Sequence, residues 1–218
     1  IEPDVPFISG NGAAIVDPDG NRVLHQKLLP VDDARRFFSF CARIGLDYCA
    51  LGPEGGFFSR DGRCIDRFTN YNKIAAAAGV EEIPLRSFDD DHENALRSPI
   101  HKVLLYRLDE KERTGVEEFL RDFRGLAYTF SSATLMEVLA LGVDKGYGVR
   151  ELARITGFKK EEICVFGDYI NDIPMFGEAG LSFAMANACE EARNATDGLT
   201  ASNDRDGVAL ALEKYILR

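Results

Sequence analysis

CVFGDYINDIPMF, residues 164–176, places an apolar run, a glycine and then three oxygen-bearing side chains, Asp168, Asn171 and Asp172, in close succession. The run reads as a buried strand, because a short continuous apolar stretch fits a strand covered on both faces. In open parallel sheets ligands bind beyond the carboxyl ends of the strands, so Gly167 permits a tight exit and Asp168 faces a crevice. Two carboxylates and an amide this close suit a hard, oxygen-preferring cation such as magnesium, which keeps waters and phosphate oxygens in its shell. A basic residue is then expected nearby. The same letters also fit a plainer arrangement, in which Asp168 caps the next helix and Asp172 is a solvated first-turn acid favoured by the helix dipole.

Outward from this stretch the chain reads in two styles. From about residue 140 to the end, helical KGYGVRELARITG, strand EICVFG, short helix NDIPMFGEAG, strand LSFAM, helix ACEEARNA and helix VALALEKYIL alternate as in a parallel α/β sheet. At the start, VPFIS (5–9) and GAAIV (12–16) read as strands, and the turn cluster DPDGN (17–21) leads into strand-like RVLHQKLL, which makes a hairpin. Between them the spacing of Ala34, Phe37, Phe38, Cys41, Ala42 and Ile44 predicts a helix. Strands are predicted at 47–51, 55–59, 101–108 and 126–132, with helices at 66–79 and 110–123, a pattern of antiparallel α+β type. The expected organisation is therefore a core from residues 1–25 and 131–218, with a second domain, 26–130, inserted in it.

The 218 residues carry a formal net charge of -10, 45% hydrophobic and 28% charged side chains, and no basic stretch. Such a balance argues against nucleic acid as a partner and requires a local positive centre for any anionic substrate. No apolar run reaches the ~18 residues that a membrane span needs, and no basic-then-apolar leader opens the chain, so a cytoplasmic location is expected. Five cysteines, odd in number and without a C-x-x-C, fit free thiols better than disulfides or zinc.

Several stretches together resemble the haloacid-dehalogenase (HAD) superfamily of phosphatases, in particular its Cof-type members with a large α/β cap. GDYINDIPMF is similar to that family's fourth motif, VDKGYGVREL to the stretch bearing its lysine, and AGLSFAMANACEEAR and SNDRDGVALALEKY to its closing segments. ISGNGAAIVDPDGNRV resembles its entry into the cap, and the middle of the chain matches only in pattern. The resemblance implies a Rossmann-like parallel-sheet core with an inserted α+β cap. It also implies a magnesium-dependent phosphatase of small phosphorylated metabolites that works through an aspartyl-phosphate. On this resemblance Asp168 falls on the metal ligand, Asn171 on a phosphate contact and Asp172 on the acid that supports ligand or lysine geometry. Lys145 falls on the catalytic lysine that balances charge on nucleophile and phosphate. A merely solvated lysine in a first helical turn would oppose the dipole, which favours the functional reading.

The family's first motif, a strand ending in D-x-D-G-T, and its second, a Ser or Thr after the next strand, are not found before Asn11 and Gly12. The chain begins IEPDVPFIS without methionine, so the expectation is that a strand–helix–strand segment of roughly 50 residues precedes it. Asp17 and Asp19 imitate D-x-D-G, but D-P-D-G-N is a turn signal and belongs to the hairpin. Asp89, Asp90, Asp91 and His92 read as a solvated acidic loop rather than a metal cluster, Cys164 as core, and the Phe37/Phe38 and Phe57/Phe58 pairs as the interior of the inserted domain. The alternative to an enzyme is a non-catalytic module that kept a phosphate site; a D-x-D-G-T segment upstream discriminates the two.

Overall fold

A computed structural model describes residues 5–20, 22–59 and 62–217. The chain divides into two units, Ile1–Gln26 with Val143–Arg218, and Lys27–Gly142. Strands β1 (Phe7–Ser9), β2 (Ala14–Val16) and β3 (Val23–Gln26) form an antiparallel sheet in the first unit. Its β2–β3 connection is the turn expected from D-P-D-G: Gly20 N donates to the Asp17 carbonyl at 3.0 Å and Arg22 N to Asp17 Oδ1 at 3.0 Å. Asp17 is therefore a turn acid.

The second unit runs α1 (Val31–Arg43), β4 (Tyr48–Gly52), β5 (Gly55–Phe58), α2 (Arg63–Ala77), β6 (Leu85–Ser87), α3 (Glu93–Leu96), β7 (Lys102–Tyr106), α4 (Glu110–Leu120), β8 (Leu126–Ser132) and β9 (Leu135–Ala140). Its six strands lie in the order β6-β5-β4-β7-β9-β8, antiparallel except for the β5–β6 pair. Because side chains alternate along a strand, Tyr48, Ala50, Val103, Leu105, Met136 and Val138 face one way. They bury α1 through Phe37, Phe38 and Cys41 and α4 through Val116 and Leu120. Cys49, Phe58 and Leu104 face the other way, under Cys64 and Phe68 of α2. Both phenylalanine pairs are thus interior: Phe37, Phe38, Phe57 and Phe58 are all buried.

The return to the first unit comes at Val143, not near 131. No strand was expected at 135–140, yet β9 pairs with both β7 and β8 and cannot be separated from that sheet. Glu137 interrupts its apolar run. The residue is nevertheless buried, and its Oε2 accepts from Lys102 Nζ at 2.7 Å on the neighbouring strand.

The first unit continues with α5 (Lys145–Thr156), β10 (Cys164–Gly167), α6 (Ile173–Phe176), β11 (Leu181–Ala184), α7 (Glu190–Asn194), β12 (Gly198–Leu199) and α8 (Gly207–Tyr215). β10, β11 and β12 form a parallel sheet with β10 at one edge, so the fold class is α/β with a parallel-sheet core. Val149 of α5, Val165, Met175, Phe176 and Ala184 form one apolar cluster, and Ile8 of β1 packs against it. α5 thereby touches both sheets of this unit, which fixes where its N-terminus points.

Candidate active site

The site is built from the ends of three elements in the first unit. β10 delivers its last residue, Gly167, and the chain then enters a short 3-10 turn at Ile170–Asp172 before α6. Gly167 is required by packing: a Cβ there would lie 2.4 Å from the Asp172 Cβ. That close approach lets the buried Asp172 carboxylate fold back over its own loop. Asp172 Oδ2 accepts from the backbone N–H of Asp168 at 2.8 Å and of Tyr169 at 3.1 Å.

The other carboxylate oxygen, Oδ1, accepts from Lys145 Nζ in an ion pair. Lys145 opens α5. Asp144 is that helix's N-cap, its Oδ1 accepting from Tyr147 N at 2.7 Å, an arrangement worth ~1 kcal/mol. A lysine at a positive helix end is unfavourable unless an anion holds it. Asp172 supplies one, and the Lys145 side chain keeps 34% of its surface for a further anion.

Asn171 is buried, and its Nδ2 donates to Asn11 Oδ1 at 3.2 Å. The turn carrying Asn11 is held close to α5 by Gly12, at φ +100°, where a Cβ would lie 1.9 Å from the Asp144 carbonyl oxygen. The structure therefore brings Asp172 to Lys145 directly, adds Asp168 through its backbone N–H, and joins Asn171 to Asn11, which lies in the stretch that resembles the family's entry into the cap. The signal for Asn11 was the N-G dipeptide, which marks a left-handed turn but says nothing of a partner 160 residues away.

Asp168 is half-buried, and its carboxylate makes no hydrogen bond or ion pair among the described residues. Asp172, by contrast, has both oxygens occupied. Among the described residues no group of three or more His, Cys, Asp or Glu side chains could enclose a metal. One open carboxylate fits a largely hydrated hard cation that takes its other ligands from water and phosphate, and does not fit a metal held in an all-protein cage.

His92, expected in a solvated acidic loop, is instead buried, and it and His25 have structural partners. His92 Nε2 lies 2.6 Å from the Tyr48 hydroxyl inside a cluster with Phe38 and Phe88, and His25 Nε2 lies 2.7 Å from the Tyr147 hydroxyl. All five cysteines are free, and burial pushes the Cys41 and Cys164 thiols above their ordinary range. No helix among the described residues is long and apolar enough to cross a membrane.

In the second unit, α2 covers only part of its sheet face and leaves a cleft of about 570 Å³. Its walls include Arg67, Phe68 and Tyr71 from the helix and Lys102, Ser131 and Glu137 from the strands.

The chain is similar to 5-amino-6-(5-phospho-D-ribitylamino)uracil phosphatase YwtE of Bacillus subtilis, at 33% identity over 98% of this chain and 79% of that protein. With the phosphatase YcsE of the same organism identity is 39%, over 50% of this chain and 44% of that protein, so the chain spans under half of that relative's length. A crystal structure from Thermotoga maritima superposes with a TM-score of 0.71 at 29% identity, covering 96% of this chain and 75% of that one. A haloacid dehalogenase-like hydrolase from B. subtilis shares the fold with a TM-score of 0.80 at 20% identity, over 97% and 79% of the two chains. The family model for haloacid dehalogenase-like hydrolases matches residues 1–212, in which Lys145 and the 168–172 loop lie. With its parallel-sheet core and its motifs in family order, the chain belongs to the haloacid dehalogenase-like hydrolases.

Proposed function

We propose that the full-length protein is a magnesium-dependent phosphatase of small phosphorylated metabolites that works through an aspartyl-phosphate. The observation that carries this reading is the ion pair of Lys145 with Asp172, whose second oxygen is held by the Asp168 and Tyr169 backbone. It fixes an ammonium against the loop that carries the open Asp168 carboxylate, and a phosphoryl group and a hard cation together need both groups.

In this reading Asp168 holds magnesium through its free carboxylate. The bound ion would screen a carboxylate nucleophile from the phosphate dianion and stabilise the charge that develops on the transferring group. Lys145 donates its remaining N–H groups to phosphate oxygens, pre-positioned by Asp172 so that little reorganisation is needed during transfer. Asn171 contributes an amide N–H to the same phosphate. Asp172 is a positioning acid, since both of its oxygens are already engaged.

The nucleophilic aspartate is drawn from a segment outside residues 1–218. In support, neither D-x-D-G here ends a strand of the parallel sheet, one being the β2–β3 turn at Asp17 and the other the Asp204–Gly207 turn into α8, and β1 and β10 each have one strand neighbour among the described residues. Relatives named as 5-amino-6-(5-phospho-D-ribitylamino)uracil phosphatases support a small phosphorylated metabolite as substrate. The second unit acts as the specificity cap. Its cleft, with Arg67 and the Lys102–Glu137 pair beside Phe68 and Tyr71, offers charged and hydrogen-bonding groups next to aromatic walls, as a polar leaving group with an apolar face requires. The five free thiols suit a reducing compartment, and we assign the protein to the cytoplasm.

The test is hydrolysis of a small generic phosphate ester by the purified full-length protein, with magnesium and after chelation. Turnover that requires magnesium supports the proposal. Phosphate binding without turnover would make the protein a non-catalytic phosphate-binding module instead.

A further inference from the structure

Asn11 bears two features that cost stability. It sits in the left-handed region at φ 59°, which costs an L residue roughly 1 kcal/mol, less for Asn than for most. Its Nδ2 is also buried without a hydrogen-bond partner among the described residues, and an unpaired buried donor costs about 1–3 kcal/mol. A glycine would avoid both costs, and the close packing of this turn against α5 is carried by Gly12, not by the Asn11 side chain. Strain kept where the fold does not need it points to function.

What the side chain does make is the 3.2 Å hydrogen bond in which Asn11 Oδ1 accepts from Asn171 Nδ2. The last torsion of an asparagine is broad, so an untethered amide turns freely. Turned over, Asn171 would present its carbonyl oxygen to a phosphate oxygen and repel it. We infer that Asn11 is a positioning residue of the phosphate site. It holds one N–H of Asn171, fixes which way that amide faces, and leaves the second N–H for a phosphate oxygen. The inference rests on the reading of residues 168–172 as that site.

Asn11→Gly in the full-length protein tests it. The melting temperature stays the same or rises. The KM for a small phosphate ester and the inhibition constant of inorganic phosphate both rise about tenfold, as expected for one hydrogen bond's worth of orientation, while kcat changes less. In an Asn171→Ala background the same substitution has no further effect on either constant, because the two residues act through one contact. A lower melting temperature with an unchanged KM would make Asn11 a purely structural residue and overturn the inference. So would additive effects of the two substitutions. Lys145→Ala, measured alongside, separates the two levels: full activity in that variant removes the phosphate-site reading, whereas lost activity there with a wild-type KM in Asn11→Gly removes only the role of Asn11.

Discussion

Asp172 is nearly inaccessible while its partner Lys145 is about one-third exposed, so the pair has a buried, anchored end and an open, reactive one. The asymmetry separates the effects of the two substitutions. Lys145→Ala leaves Asp172 with its two backbone donors and lowers activity by orders of magnitude with little loss of stability. Asp172→Ala removes the acceptor for Lys145, Asp168 N and Tyr169 N together, so activity falls and stability drops by about 3 kcal/mol through the backbone donors left unpaired. Thermal unfolding alongside hydrolysis rates checks the difference. A larger stability loss in Lys145→Ala than in Asp172→Ala would mean that the anchoring runs the other way.

Gly167→Ala reaches the same loop through sterics alone. Its Cβ would press on Asp172, which cannot move without releasing two backbone N–H groups. The expected result is a destabilisation of about 2 kcal/mol, the usual size of an overpacking penalty, with a loss of turnover. Wild-type stability in this variant would show that the loop has room to shift.

Replacing Lys27–Gly142 with the corresponding unit of a related phosphatase should change substrate preference while preserving hydrolysis of a generic ester. Within the native unit, Arg67→Ala should raise the KM for the preferred metabolite and leave generic-ester hydrolysis unchanged, since Arg67 lines the cleft of the unit we propose as the specificity cap. A uniform effect on both substrates would remove the cleft from substrate selection.

Burial pushes the His92 imidazole below its ordinary value near 6.5, against the raising influence of Asp89 and Asp91, and burial likewise lowers His101. The unfolded chain then binds protons that the folded chain refuses. The stability tied to neutral imidazoles is present above pH ~6.5 and is lost as pH falls through the depressed folded values. Melting temperatures between pH 8 and pH 5 should be flat at first and then decline. His92→Asn, which tolerates the left-handed backbone at φ 61° and does not titrate, should soften that decline. An unchanged slope would assign it to other groups.

The elements whose cues are local were legible in the sequence. β10 declared itself by an apolar run ending in glycine, α5 by the helical stretch KGYGVRELARITG, and the β2–β3 turn by D-P-D-G. What escaped depended on distant partners. β9 was missed because Glu137 breaks its apolar pattern, and only the Lys102 ammonium across the sheet makes that burial tolerable. β6, three residues long and parallel to β5, carries too few side chains to show a period. Asn171 and Asp172 could be placed beside Asp168 from sequence, but the contact of Asn171 with Asn11 arises only when the first turn packs against α5.

The central claim is that Lys145 and Asp168 act on one phosphoryl group. The most direct measurement is magnesium-dependent hydrolysis of a small phosphate ester by full-length wild type, Lys145→Ala and Asp168→Ala, each shown to be folded by its melting temperature. The account predicts turnover in the wild type and a loss of at least ~100-fold in both variants, as expected for charge that acts in the transition state. Asp168→Ala should also lose the dependence of its residual rate on magnesium. Near-normal turnover in both folded variants would contradict the account.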